Sequence, residues 1–198
     1  MRRSIKPPYC GPPPTWIRSI ALSSFRQAPK PHVAPFAGPA WPVAAAWLAA
    51  AILAQSTIVH YIAIRDVAPS LVLVVVVWYS IRVDARRAAL YGLIAGFCED
   101  ALSAHSGAAW TISTCASAVL ASLLSRGFFA DSIPLAVGIT LVATLVRALL
   151  FWMVVALFGY PPGLGSVHFH EAAAQSLFNA GVMIVAMLIA RRLEVMPR

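Results

Sequence analysis

From Trp41 onward the chain is a succession of apolar runs separated by short breaks that carry most of the charges. The hydrocarbon core of a bilayer is about 30 Å thick, and a helix needs about 20 apolar residues to cross it. Runs at 41–63, 67–81, 88–104, 108–125, 133–158 and 173–190 meet or approach that length. They predict an all-α, polytopic membrane protein of six transmembrane helices occupying residues 41–194. The second run is short, and Pro69 is expected in its first helical turn, where a missing N–H is tolerated. The fifth is long enough to tilt. Composition points the same way: 60% of the residues are hydrophobic and 11% charged, against roughly 45–50% and about 25% in soluble domains.

Charge sets the expected orientation. Residues 1–40 hold nine of the 15 prolines and six basic residues with no acid, and read as a disordered cytoplasmic arm. A cleaved signal peptide fits poorly, because the basic region is long and no small-residue cleavage site follows an apolar run. Placing both termini in the cytoplasm, with residues 195–198 as a short tail, puts 13 of the 15 Lys and Arg on the cytoplasmic side. Only Arg65 falls outside, and Arg147 falls within a span. The net charge of +8 is therefore read as a topology signal, with anionic lipid attracted to the basic tails, and not as a nucleic-acid footprint. Cys10, Cys98 and Cys115 have no CxxC spacing and read as small hydrophobes.

Ionisable and amide groups inside a span are costly and mark candidate sites. They are Gln55 in the first span, Glu99 and Asp100 in the third, Arg147 in the fifth and Asn179 in the sixth. Counted at about 1.5 Å per residue, Gln55, Asp100, Arg147 and Asn179 all lie roughly 18–21 Å above the cytoplasmic face. A shared buried polar cluster is expected, with Asp100 paired to Arg147 and Glu99 as the next candidate partner. Ala88, Gly92, Gly96 and Asp100 recur every four residues, and Gly92-x-x-x-Gly96 is a pattern that lets helix backbones approach closely. His168-Phe169-His170-Glu171 is expected on a solvated outer loop, since two histidines without a third ligand make a weak metal signal. No nucleophile, acid–base set, phosphate cradle or cofactor motif is visible, so no catalytic, metal or cofactor site is expected.

The stretch Ala68-Pro69-Ser70, the apolar LVLVVVVWYS, the basic turn after it, and Gly92 through Ser103 with Gly107 resemble the rod-shape-determining protein MreD family. Ser176-Leu177-Phe178-Asn179, in a last span ending at Arg191-Arg192-Leu193, adds to the likeness, which covers roughly residues 40–194. Ala104 departs from it, standing where a glycine often follows the serine, and neither Arg147 nor the long arm is part of it. The resemblance implies a non-enzymatic, multi-pass subunit of the bacterial inner membrane. Its partners would be MreC and, through it, MreB, RodA and a class B penicillin-binding protein of the cell-elongation machinery. The alternative is a substrate-binding subunit similar to the S components of energy-coupling-factor transporters, whose Ala-x-x-x-Ala spacing is matched by Ala45/Ala49 and Ala46/Ala50.

Overall fold

The computed structural model describes residues 38–57, 67–103, 107–126, 132–159 and 165–195. These contain six helices and no β-strand: α1 (Trp41–Thr57), α2 (Leu71–Ser80), α3 (Ala85–Leu102), α4 (Ala109–Leu124), α5 (Ile133–Leu157) and α6 (Gly165–Val195). The proline-rich arm lies outside the described residues except for 38–40, where Gly38 sits directly against Val83 and the Arg82 carbonyl of the α2–α3 turn.

The organising element is α2. Its ten residues make a helix of about 15 Å, half the thickness of a bilayer core. It is buried because all five other helices touch it. Around it α3 packs on α4, α4 on α5 and α5 on α6, while α1 packs on α2 through Ala44, Leu48 and Ala51. Four successive valines would favour a strand by intrinsic preference, but burial on every side and a capped start make the segment helical. Contrary to the expectation for this run, Pro69 is not in the first helical turn. It stands one residue before the N-cap Ser70 and ends the helix there, because proline cannot donate the backbone bond that a preceding turn would need.

Two helices, Ile133–Leu157 and Val167–Arg192 within α6, are long and apolar enough to cross a membrane. The start of α6 corrects a second expectation. His168, Phe169, His170 and Glu171 lie on its first turns and not on a loop. Between Gly165 and Gly181 there is no helix breaker, and Ala172-Ala173-Ala174 favours helix strongly.

The interior mixes an apolar core with polar groups, and large apolar side chains also lie on the outside. Ser113, Thr114, Ser117, Thr140, Thr144 and Asn179 are buried, whereas Phe97 (65% exposed), Leu102 (67%) and Leu157 (85%) face outward. Four of the buried hydroxyls return their bonds to the preceding turn of their own helix, as Ser117 does to Ser113 O and Thr144 to Thr140 O. Their O–H donors are thereby satisfied within their own helices.

Gly92 and Gly96 place α3 against α4. A methyl group added to Gly92 would come 2.6 Å from Ala118 Cβ, and one added to Gly96 would come 2.6 Å from Thr111 Cα and 2.7 Å from Trp110 O. No side chain fits between these backbones, as small-residue packing requires. Just before α4, Gly107 and Ala108 both have positive φ.

Candidate functional site

The first turn of a helix leaves backbone N–H groups without intrahelical acceptors. At the buried start of α2, side chains from three helices supply them. Ser70 Oγ caps Leu73 N–H at 3.3 Å, Gln55 Oε1 from α1 accepts from Val72 N–H at 3.1 Å, and Asn179 Oδ1 from α6 accepts from Ser70 N–H at 2.7 Å. Asn179 also donates through Nδ2 to Thr144 Oγ1 on α5 at 3.1 Å. Asn179 is 0% exposed, and this pairing accounts for its burial.

Arg147 joins the same node from α5. It shares that helix's inward stripe with Thr140, Ala143, Thr144 and Ala148. Its Nη1 donates to Ser70 Oγ at 2.8 Å and its Nη2 to Glu99 Oε1 at 2.7 Å. Glu99 Oε2 accepts from Thr114 Oγ1 at 3.1 Å. Arg147 is 4% exposed and Glu99 7%, so this is a buried ion pair. It is stabilising only because each charge finds its complement and further hydrogen bonds. The guanidinium also lies 4.4 Å over the ring of Trp110, a cation–π contact. A column of rings continues from there, Trp110 on Phe151 at 4.1 Å and Phe151 on His168 at 5.8 Å. One donor is left over: Arg147 Nε is buried and has no hydrogen-bond partner.

Asp100 does something else. The expected pairing of Asp100 with Arg147 is replaced by Glu99 with Arg147. The Asp100 carboxylate turns to the start of α4, accepting from Trp110 N–H at 3.1 Å, Thr111 N–H at 2.8 Å and Thr111 Oγ1 at 2.6 Å. The cause is local. The N-cap of α4 is Ala108, which has no side-chain acceptor, and a carboxylate from the end of α3 fills that role with a favourable charge. Adjacent positions on a helix point about 100° apart, so when Asp100 faces α4's first turn, Glu99 faces α5.

The structure thus brings Gln55, Ser70, Glu99, Arg147 and Asn179 together around one helix start and sets Asp100 at its edge. Sequence reasoning missed Ser70, Thr114, Thr144, Trp110 and Gln175. Ser70 carried a signal, a Pro-Ser pair before an apolar run; the threonines carried none. Two clefts flank the node and share Ala68, Trp110, Arg147 and Gln175. One of about 440 Å³ opens between α1 and α3, lined by Gln55, Ser56, Glu99, Leu102 and Ser103 among others. The other, of about 240 Å³, lies between α5 and α6 beside Phe151, His168 and Glu171. Gln175 Nε2 donates to Ala68 O at 2.9 Å on the partition between them. Among the described residues no three His, Cys, Asp or Glu side chains group as metal ligands. No protein-family model, no curated protein and no solved structure matches the chain.

Proposed function

We propose that this chain is a multi-pass subunit of the bacterial inner membrane that scaffolds cell-wall synthesis during elongation, working through MreC without chemistry of its own. The observation that carries this reading is the convergence of residues far apart in sequence. Ser70, Glu99 and Asn179, from three segments that carry the resemblance to the MreD family, belong to one connected node held through Arg147, which lies outside the resemblance: Asn179 bonds Ser70, Ser70 bonds Arg147, and Arg147 bonds Glu99. The outward-facing Phe97, Leu102 and Leu157 suit a lipid surround, since apolar side chains at such exposure are unfavourable in water. A scaffold in the bilayer needs rigid relative placement of its helices, and a node joining α1, α2, α3, α5 and α6 supplies it.

The test is association and cell shape. The full-length chain should co-purify with MreC from membranes, and its depletion should turn rods into spheres. Cells that keep their rod shape after depletion would remove this reading.

A second reading, a substrate-binding membrane subunit, is favoured by one observation, the cleft of about 440 Å³ whose largely apolar walls carry a few polar groups. That is within the range of small-molecule sites, about 300–1,000 Å³. A small molecule retained through purification, identified by mass spectrometry, would support it.

A further inference from the structure

We propose that the larger cleft binds a neutral, polyhydroxylated group, the head of a glycolipid or a free polyol. This deepens the second reading and rests on it. The walls hold hydrogen-bonding capacity that the fold does not use. Gln55 spends its carbonyl oxygen on Val72, and its amide nitrogen has no partner among the described residues. Gln175 spends its nitrogen on Ala68, and its oxygen is unspent. Ser56 Oγ, which donates to Leu53 O at 3.0 Å, keeps its acceptor capacity at the cleft, Ser103 adds a hydroxyl, and Arg147, with its buried unpartnered Nε, lines the cleft as well. Donors and acceptors are thus interspersed over a span of one or two sugar rings.

The charges in the wall cancel. Glu99 and Arg147 are closed on each other at 2.7 Å. An anion entering here would face the Glu99 carboxylate and a cation the Arg147 guanidinium, each desolvated with no counter-charge of its own. A hydroxyl both donates and accepts, so a polyol satisfies either neighbour without disturbing the pair. The remaining walls are Ile52, Pro69, Val72 and Leu102, apolar surface of the kind that covers the C–H faces of a sugar. Leu102, 67% exposed, stands at the lip, where a lipid-borne group would enter sideways.

The full-length chain in phosphatidylcholine nanodiscs tests this with four probes: maltose in solution, a diglucosyl diacylglycerol in the bilayer, inorganic phosphate, and phosphatidic acid. The expected result is a saturable rise in the thermal unfolding midpoint with one of the first two probes, which identifies the source, and none with the charged pair. Ser56→Leu and Ser103→Leu fill the mouth without removing a buried bond. Each should weaken the effect at least tenfold while leaving the unliganded midpoint unchanged. A rise with a charged probe alone overturns the neutral class and leaves the second reading standing. No rise with any probe overturns the proposal and leaves the second reading to the retained-ligand test, and a rise of equal affinity in the two Leu variants places binding outside this cleft and likewise overturns the proposal.

Discussion

At the residue scale the molecule turns on one exchange of partners. Two adjacent carboxylates, Glu99 and Asp100, divide two tasks: one neutralises Arg147, the other caps α4. Arg147→Gln leaves Glu99 buried without its cation, and Glu99→Gln leaves Arg147 without its anion. Each should cost about 3–5 kcal/mol. The double variant should cost clearly less than the sum, as read from denaturant unfolding in detergent. Asp100→Asn should cost about 1–2 kcal/mol as a weakened cap and add to Arg147→Gln without coupling. Coupling of Arg147 to Asp100 in place of Glu99 would contradict the geometry. Asn179→Leu keeps the branched shape, adds some bulk and strands Ser70 N–H, a loss of at least about 1–3 kcal/mol. The layer in which these groups sit was legible in the sequence, because helical rise converts residue number into depth. Azimuth was not. Which of two neighbouring acids faces α5 depends on how α3 is rotated, and that is set by Gly92 and Gly96 meeting α4.

The α3–α4 contact makes the corresponding argument at the scale of elements. At Gly92 the nearest atom to an added methyl is a side-chain carbon, Ala118 Cβ, whereas at Gly96 all the close atoms are backbone. Gly92→Ala should therefore be partly rescued by Ala118→Gly. Gly96→Ala has no side chain to trim against it, and should also pull Trp110 and Thr111 away from Asp100. Overpacking of this kind costs about 1–3 kcal/mol. Unfolding midpoints of the three variants and the double variant check the asymmetry, and equal rescue at both sites would show that the helices separate instead of clashing. The glycine spacing announced this contact in the sequence but not its partner helix. The extent of α6 was hidden for a different reason: Pro161-Pro162-Gly163 and the polar His168-Phe169-His170-Glu171 read together as one loop, although only the first three are breakers. In α2 the apolar run was read from residue 67 with Pro69 in the first turn, whereas Ser70 caps a helix that begins at Leu71, and the sequence did not show that so short a helix would be the centre of the packing.

At the scale of the whole molecule, the node lies at one end of α1 to α4 and midway along the two long helices, α5 and α6. The last residues of α1 and α3 and the first of α2 and α4 meet there, while the α2–α3 turn and Arg126 lie at the other end of these helices. Under the inner-membrane reading proposed above, which assigns 13 of the 15 basic residues to the cytoplasmic side, the node and its clefts face the periplasm. The orientation can be read with two single cysteines in a chain whose Cys10, Cys98 and Cys115 are replaced by alanine. Ser103→Cys, at the mouth of the larger cleft, should react in intact spheroplasts with a membrane-impermeant maleimide. Arg126→Cys, at the far end of α4, should react only after the membrane is opened. A C-terminal alkaline phosphatase fusion should be inactive for the same reason, since that reporter folds only outside. The reverse labelling pattern would turn the molecule over and bring the clefts to the cytoplasmic face. Labelling of both positions from outside would remove the membrane reading itself, and with it the scaffold role that depends on helices held in a bilayer.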